Sequence, residues 1–315
     1  MTPLTGSRNL RRLSTNPEQS AARTGVLATT GAFLLWGLFP LFWKQLTGVA
    51  ALELIAHRIV CSLIFLVPIV IARGSWGNSM QALRTGSSVR LHFVSGALLT
   101  INWLVFVWAV NEGRIVETSL GYFLTPLLNV AFGMIFLKER LRVAQGVAIG
   151  IAIVGVGILI VGYGQVPWVA FALAATFGSY GLLRKKSSLG SLSGLMLETT
   201  LMLPFALGYL IWRHAGGVGA FGHTGALTST LILASGIVTA VPLLLFAQGT
   251  RLIQLSTVGL LQFIAPSVQF LIGVAVYREP LPPERLWAFA FIWAALVLYS
   301  ADSVLAAHRA GQKMR

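Results

Sequence analysis

The chain has 315 residues, of which 56% are hydrophobic and only 10% charged. Ordinary soluble domains carry about 25% charged residues, so this chain has too few to cover a water-facing surface. A formal charge of +14 would also suit nucleic acid, but the basic residues sit in the tails and in short connections between apolar runs, without an aromatic–basic groove; that excludes nucleic acid and fits contact with anionic lipid.

Residues 1–24 are polar and basic, with Arg8, Arg11, Arg12 and Arg23, and read as a disordered tail. Arg11-Arg12 is not read as a twin-arginine export signal, because the apolar run starts some ten residues later and no small-x-small cleavage site follows. From residue 25 onward, apolar runs of near 20 residues recur, the length a helix needs to cross about 30 Å of hydrocarbon. Ten spans are predicted, at roughly 25–45, 51–72, 91–111, 117–137, 143–162, 166–184, 193–212, 228–250, 257–277 and 284–304. The sixth is the weakest signal, short and rich in Gly and Ala. Residues 305–315 form a second tail, and no connection is long enough for a soluble domain.

Several spans carry polar groups that lipid would not tolerate on its own side. In span two, Glu53 and His57 are four residues apart and share a face. Arg58 lies about seven residues into that span, or ~10 Å, and an ionisable group at such depth is a functional candidate by default. Cys61 is the only cysteine, which rules out an intrachain disulfide and a cysteine-based metal site. Span three carries Asn102 and Trp103, a pairing of amide and aromatic that suits a planar or amphipathic organic solute; core packing explains either Trp103 or Trp108 equally well. Span four places Tyr122, Pro126 and Asn129 on one face. In span five, Gly146, Gly150, Gly155 and Gly157 allow close helix approach, within the bundle or in a homodimer. Span seven carries Glu198, the best candidate for proton coupling; for Glu198 and Arg58 alike the alternative is a structural ion pair or a snorkelling side chain.

Span nine repeats span four. In each, a proline is followed thirteen residues later by a glutamate beside a basic residue: Pro126 with Lys138-Glu139, and Pro266 with Arg278-Glu279. At the same offset of 140 residues, Tyr122 and Asn129 correspond to Gln262 and Gln269, and Arg58 corresponds to Glu198. Five spans per half is an odd number, so the halves 25–162 and 166–304 would enter the membrane in opposite directions, with a substrate site near the midplane between them. The two polar faces would line a central cavity or bond helix to helix. The two prolines would serve as hinges or as static kinks. The glutamates read as helix terminators that tie loops. With the N-terminus in the cytoplasm, seventeen Lys and Arg fall inside, Arg184 among them, and five outside; this places both termini in the cytoplasm by the positive-inside rule. A direct Arg58–Glu198 bridge would require tilt or long side chains, because the two differ in depth by about 10 Å.

The same segments carry a family likeness. WGLFPLFWK at 36–44, ELIAHR at 53–58, NWLVFVWAVN at 102–111, ETSLGYFLTPLLNVAFGMIFLKERL at 117–141, YGLLRKK at 180–186 and LETTLMLP at 197–204 resemble the drug/metabolite transporter superfamily, specifically its EamA-type ten-helix members and their RarD branch of chloramphenicol-sensitive proteins. The likeness runs over about residues 25–303. It implies a bacterial inner-membrane secondary carrier and identifies no substrate. No P-loop is present, the five histidines lack metal spacing and no Ser/His/Asp set stands out, so neither a cofactor nor catalysis is expected. The expectation is an all-α membrane protein of ten transmembrane helices in two inverted five-helix repeats. It would transport a small organic metabolite or drug-like solute, driven by a gradient rather than by ATP, by export rather than uptake, with proton coupling and a homodimer both open. A channel-like facilitator or a membrane-embedded enzyme is the competing class.

Overall fold

The computed structural model describes residues 17–46, 48–112, 115–164, 166–278 and 283–312; Glu279 of the second repeated motif lies outside them. Among the described residues the chain is all helix: α1 (Pro17–Gly37), α2 (Phe39–Trp43), α3 (Ala51–Ala72), α4 (Trp76–Arg84), α5 (Gly86–Asn111), α6 (Ile115–Leu137), α7 (Val143–Tyr163), α8 (Trp168–Lys186), α9 (Ser191–Ala215), α10 (Ala226–Leu252), α11 (Leu255–Gln262), α12 (Ile264–Ala275) and α13 (Pro283–Gln312). A membrane core dictates this outcome, because only a helix satisfies its backbone polar groups within one segment.

Eight stretches among the described residues are long and apolar enough to cross a membrane: Gln19–Leu46, Ala51–Ala72, Gly86–Ala109, Leu120–Leu137, Val143–Gly162, Ser191–Ala215, Ala226–Leu252 and Leu255–Ile272. Their outer faces carry Ile64, Ile135, Val161 and Ile211, each well over half exposed. Water would make such a surface an aggregation liability, whereas lipid solvates it. The protein is therefore a multi-pass, all-α membrane protein. Two predicted spans fall short of the same measure, α8 and the apolar stretch Leu286–Asp302 of α13. In α8 the reason is position: it packs among α5, α6 and α10, buries Val169, Ala170, Leu173, Ala174, Gly178, Tyr180 and Gly181, and needs little lipid-facing apolar surface.

The spacing of helix starts is regular. Ala51 and Ser191, Gly86 and Ala226, Ile115 and Leu255, and Val143 and Pro283 each open a helix, and each pair is 140 residues apart. Packing follows the same correspondence: α3 lies against α9, α6 against α11 and α7 against α13, while α1 packs on α10 as α8 packs on α5. Lys138 and Arg278, also 140 apart, are the two non-glycine residues with positive φ among the described residues, at 54° and 52°.

The breaks in the long helices have local causes. α1 ends at Gly37 and resumes as α2, with Pro40 at the second position of the new helix. Pro40 has no N–H to give the Trp36 carbonyl four residues earlier, and the Gln269 amide donates to that oxygen instead, at 3.1 Å. The matched prolines behave differently from one another. Pro126 sits inside an unbroken α6, whereas Pro266 follows the interruption at Phe263 that separates α11 from α12. The short amphipathic α4 falls in what the sequence presents as a loop, because a polar nine-residue helix gives no membrane-span signal.

α11 crosses α6 at close range. A Cβ on Gly259 would stand 2.5 Å from the Pro126 carbonyl oxygen and 3.1 Å from Asn129 Cβ. Gly259→Ala is expected to force the two helices apart at a cost of about 1–3 kcal/mol, visible as a lower thermal midpoint of the detergent-solubilised protein. A Cβ built on Gly146 or Gly150 meets no other helix within 4 Å among the described residues, whereas one built on Gly155 would stand 2.9 Å from the Ala288 carbonyl oxygen of α13.

Candidate functional site

A cavity of about 600 Å³ opens between the helices, within the range of small-molecule sites. Its walls come from both chain halves: α1, α2, α3, α5 and α6 on one side, α8, α11 and α12 on the other. Most of the lining lies towards the end of the bundle that carries Lys44 and Tyr277, with Phe177 at the middle of α8 and Ala265 and Pro266 at the start of α12. The lining is dominated by aromatic rings, among them Phe33, Trp36, Trp43, Trp103, Phe106 and Phe177.

Seven residues singled out in the sequence line this cavity: Arg58, Asn102, Trp103, Tyr122, Gln262, Pro266 and Gln269. Asn102 is also spent on packing, donating to the Leu173 carbonyl and to Thr176 Oγ1, both at 2.9 Å. Asn129, Pro126, His57 and Glu198 are absent from its walls. Asn129 is completely buried one layer deeper and donates to Gln262 Oε1 at 2.7 Å, so at this position the polar face bonds helix to helix. His57 sits 3.7 Å from Glu53, whose buried carboxylate also binds Arg213 at 3.0 Å and accepts the Ala220 amide.

Arg58 is the centre of the site. Its side chain is 6% exposed, with the guanidinium carbon 3.8 Å from the Trp103 ring centre and 5.0 Å from that of Trp43. Such cation–π contacts are worth about 2 kcal/mol when desolvated. Nε donates to Thr239 Oγ1 at 2.7 Å, the one hydrogen bond of Arg58 among the described residues, and no carboxylate there is within salt-bridge distance of it. The indole Nε1 groups of Trp43 and Trp103 are buried without an acceptor among the described residues, a cost of about 1–3 kcal/mol for each group left unmade.

The Arg58–Glu198 bridge contemplated from the sequence does not form. Glu198 instead pairs with Arg184 at 3.3 Å, accepts Ser95 Oγ at 2.5 Å and lies 3.5 Å from the Tyr180 hydroxyl. Arg184, counted in the sequence among cytoplasmic basic residues, is fully buried near the end of α8. A second cavity of about 60 Å³ lies between the two systems and is lined by Arg58, Trp103 and Glu198 together.

At the end of the bundle opposite Lys44, Glu139 ties α6 to α11, beside a polar cavity of about 660 Å³ lined by Arg73, Asn78, Gln81 and Ser191 among others. The Glu139 carboxylate accepts the Leu255 amide at 2.7 Å, the Ser256 amide at 2.9 Å and the Ser256 hydroxyl at 2.7 Å. It thereby caps the first turn of α11, whose own N-cap residue, Gln254, supplies no side-chain bond. Lys185 donates to the Thr250 and Ile253 carbonyls beside it.

Comparison with known proteins gives the family. The EamA-like transporter family matches residues 23–161. The chain is 40% identical over 296 residues, 94% of each chain, to "Protein RarD" of Streptomyces exfoliatus. It is 42% identical over 290 residues, 91% of this chain and 97% of the other, to "Uncharacterized transporter YojE" of Bacillus subtilis (strain 168). One solved crystal structure shares the fold with a TM-score of 0.69 at 20% identity, covering 88% of this chain and 97% of that one. The chain is a membrane transporter that belongs to the EamA-like family, in the RarD-like branch of the drug/metabolite transporter superfamily.

Proposed function

We propose that the protein is a secondary transporter that exports a small organic solute across the bacterial inner membrane by alternating access. Its ten spans would be two inverted five-helix halves, with α8 and α13 as the two crossings that composition alone leaves out. The common spacing of helix starts and the paired packing of α3 with α9, α6 with α11 and α7 with α13 support that reading. The observation that carries it is the aromatic cavity of about 600 Å³ walled by both halves, while Glu139 ties α6 to α11 towards the opposite end. With both termini in the cytoplasm, as the basic residues favour, the cavity end is periplasmic and the conformation is outward-facing. Asn102, Trp103, Tyr122, Gln262 and Gln269 would contact solute, Asn129 would hold Gln262 in place, and Glu198 would couple transport to protons.

The test is counterflow in proteoliposomes, with and without a pH gradient, over a panel of small organic solutes. Trans-stimulated exchange identifies a carrier. Flux without exchange would make the protein a channel-like facilitator, and chemical conversion of the solute would make it an enzyme.

The prolines give a second test. Pro266 leaves the Gln262 carbonyl without a helical donor beside an existing break, so Pro266→Ala is expected to straighten the joint and slow turnover about tenfold, or ~1.4 kcal/mol on the barrier. Pro126→Ala in the unbroken α6 is expected to transport close to the normal rate. Equal behaviour of the two variants in the counterflow assay would remove the hinge from Pro266.

A further inference from the structure

We infer that the cavity is built for an organic anion, an aromatic or amphipathic carboxylate whose acid group meets Arg58. This rests on the transporter reading above and narrows its solute. Three observations converge on it. First, the charged residues lining the cavity are Lys44 and Arg58, and among the described residues no Asp or Glu lines it. Second, Arg58 is buried yet spends only Nε on the protein. Its Nη1 and Nη2 make no hydrogen bond among the described residues, which leaves the planar fork that matches a carboxylate in a bidentate pair. Third, the two rings that hold the guanidinium, Trp43 and Trp103, each bury an indole N–H without an acceptor among the described residues. A site whose lining charges are positive and whose arginine fork is unused is complementary to a ligand that brings acceptors and negative charge.

The alternative is a structural Arg58 that clips α3 to α10 through Thr239. That clip uses one nitrogen. A structural arginine whose remaining donors stay unmade in a membrane core, with no carboxylate paired to it, is the less stable design, because buried charges are normally paired. The surrounding rings set the rest of the solute. Phe33, Trp36, Phe106 and Phe177 offer flat apolar walls, so a small hydrophilic acid would gain little there and an aryl or similarly apolar acid would gain contact over its whole body.

The experiment compares four aromatic carboxylates, benzoate, phenylacetate, cinnamate and indole-3-acetate, each with its neutral amide of nearly the same shape. Binding to the detergent-solubilised full chain is read by thermal shift, and transport by counterflow. At least one acid is expected to bind about tenfold or more tightly than its amide. Arg58→Lys should keep part of that preference and Arg58→Gln should abolish it, while Thr239→Val, which removes the clip but not the fork, should keep it. Trp43→Phe and Trp103→Phe, which keep the rings and remove the N–H groups, should narrow the preference. The inference is overturned if no acid of the panel binds better than its amide, or if Arg58→Gln retains the preference. If the acids bind preferentially but none undergoes counterflow, the anion site stands and the carrier reading fails; if amides undergo counterflow as well as the acids, the carrier stands and the anion site fails.

Discussion

Glu198→Leu is expected to destabilise the protein by about 3–5 kcal/mol, because it leaves the charge of Arg184 buried without its partner. Arg184 has no exposed surface, and its pairing with Glu198 at 3.3 Å is its one salt bridge among the described residues. Its other contact is a hydrogen bond to the Ser191 carbonyl at 3.1 Å, which cannot neutralise a charge. The same substitution strips Ser95 and Tyr180 of their acceptor. At about 2–4 °C per kcal/mol for a chain of several hundred residues, the thermal midpoint should fall by roughly 10 °C. The decisive comparison is the double variant Arg184→Met with Glu198→Leu. It removes both charges and restores apolar volume, so it should regain most of the loss. If the double variant is no more stable than the single one, the pair is not the cause. The folded double variant also decides the coupling role, since pH-driven counterflow that survives in it eliminates Glu198 as the proton-linked group.

The segments that cross the membrane could be read from sequence for a physical reason: lipid admits no polar lining on the outside, so each crossing writes a long apolar run into the chain. What could not be read follows from the same physics. Arg184-Lys185-Lys186 looks like the basic flank of a span, and it does form the last turn of α8, yet Arg184 is fully buried there among other helices. There, other helices rather than lipid decide what is buried, and hydropathy says nothing about that. The polar positions at spacings of three and four did mark a protein-facing stripe. Periodicity fixes a face, however, and not a depth: Gln269 reached the cavity and its counterpart Asn129 did not. The break of α1 was hidden because the apolar run continues through Pro40, and its compensation comes from Gln269, more than two hundred residues away in sequence. Trp43 carried no separate signal, because an indole near the end of a span reads as an interfacial anchor; only its distance to Arg58 connects it with the site.

The second large effect is expected at the end opposite the aromatic cavity. Glu139→Ala removes three hydrogen bonds to a charged acceptor and the favourable placement of that charge at the start of α11, for a loss of about 3 kcal/mol. Glu139→Gln should fall between the variant and the native protein, because an amide offers one accepting oxygen where the carboxylate offers two. The loss should also have a direction. Glu139 belongs to the turn after α6, and α11 carries Gln262, which Asn129 of α6 holds from below. The cap therefore ties the two central helices together at the end that must open if the cavity is to be emptied to the other side. A ligand-free equilibrium shifts by as much as one state is weakened relative to the other. Weakening a bond made only in the closed arrangement should raise the population open at this end. Ile253 is buried there, 8% exposed, and Cys61 is the sole native thiol. In a Cys61→Ser background, a cysteine placed by Ile253→Cys should react with a soluble maleimide at least tenfold faster when Glu139→Ala is added, at a temperature well below either unfolding midpoint. An unchanged labelling rate alongside a lowered midpoint would make Glu139 a static helix cap and no part of the gate.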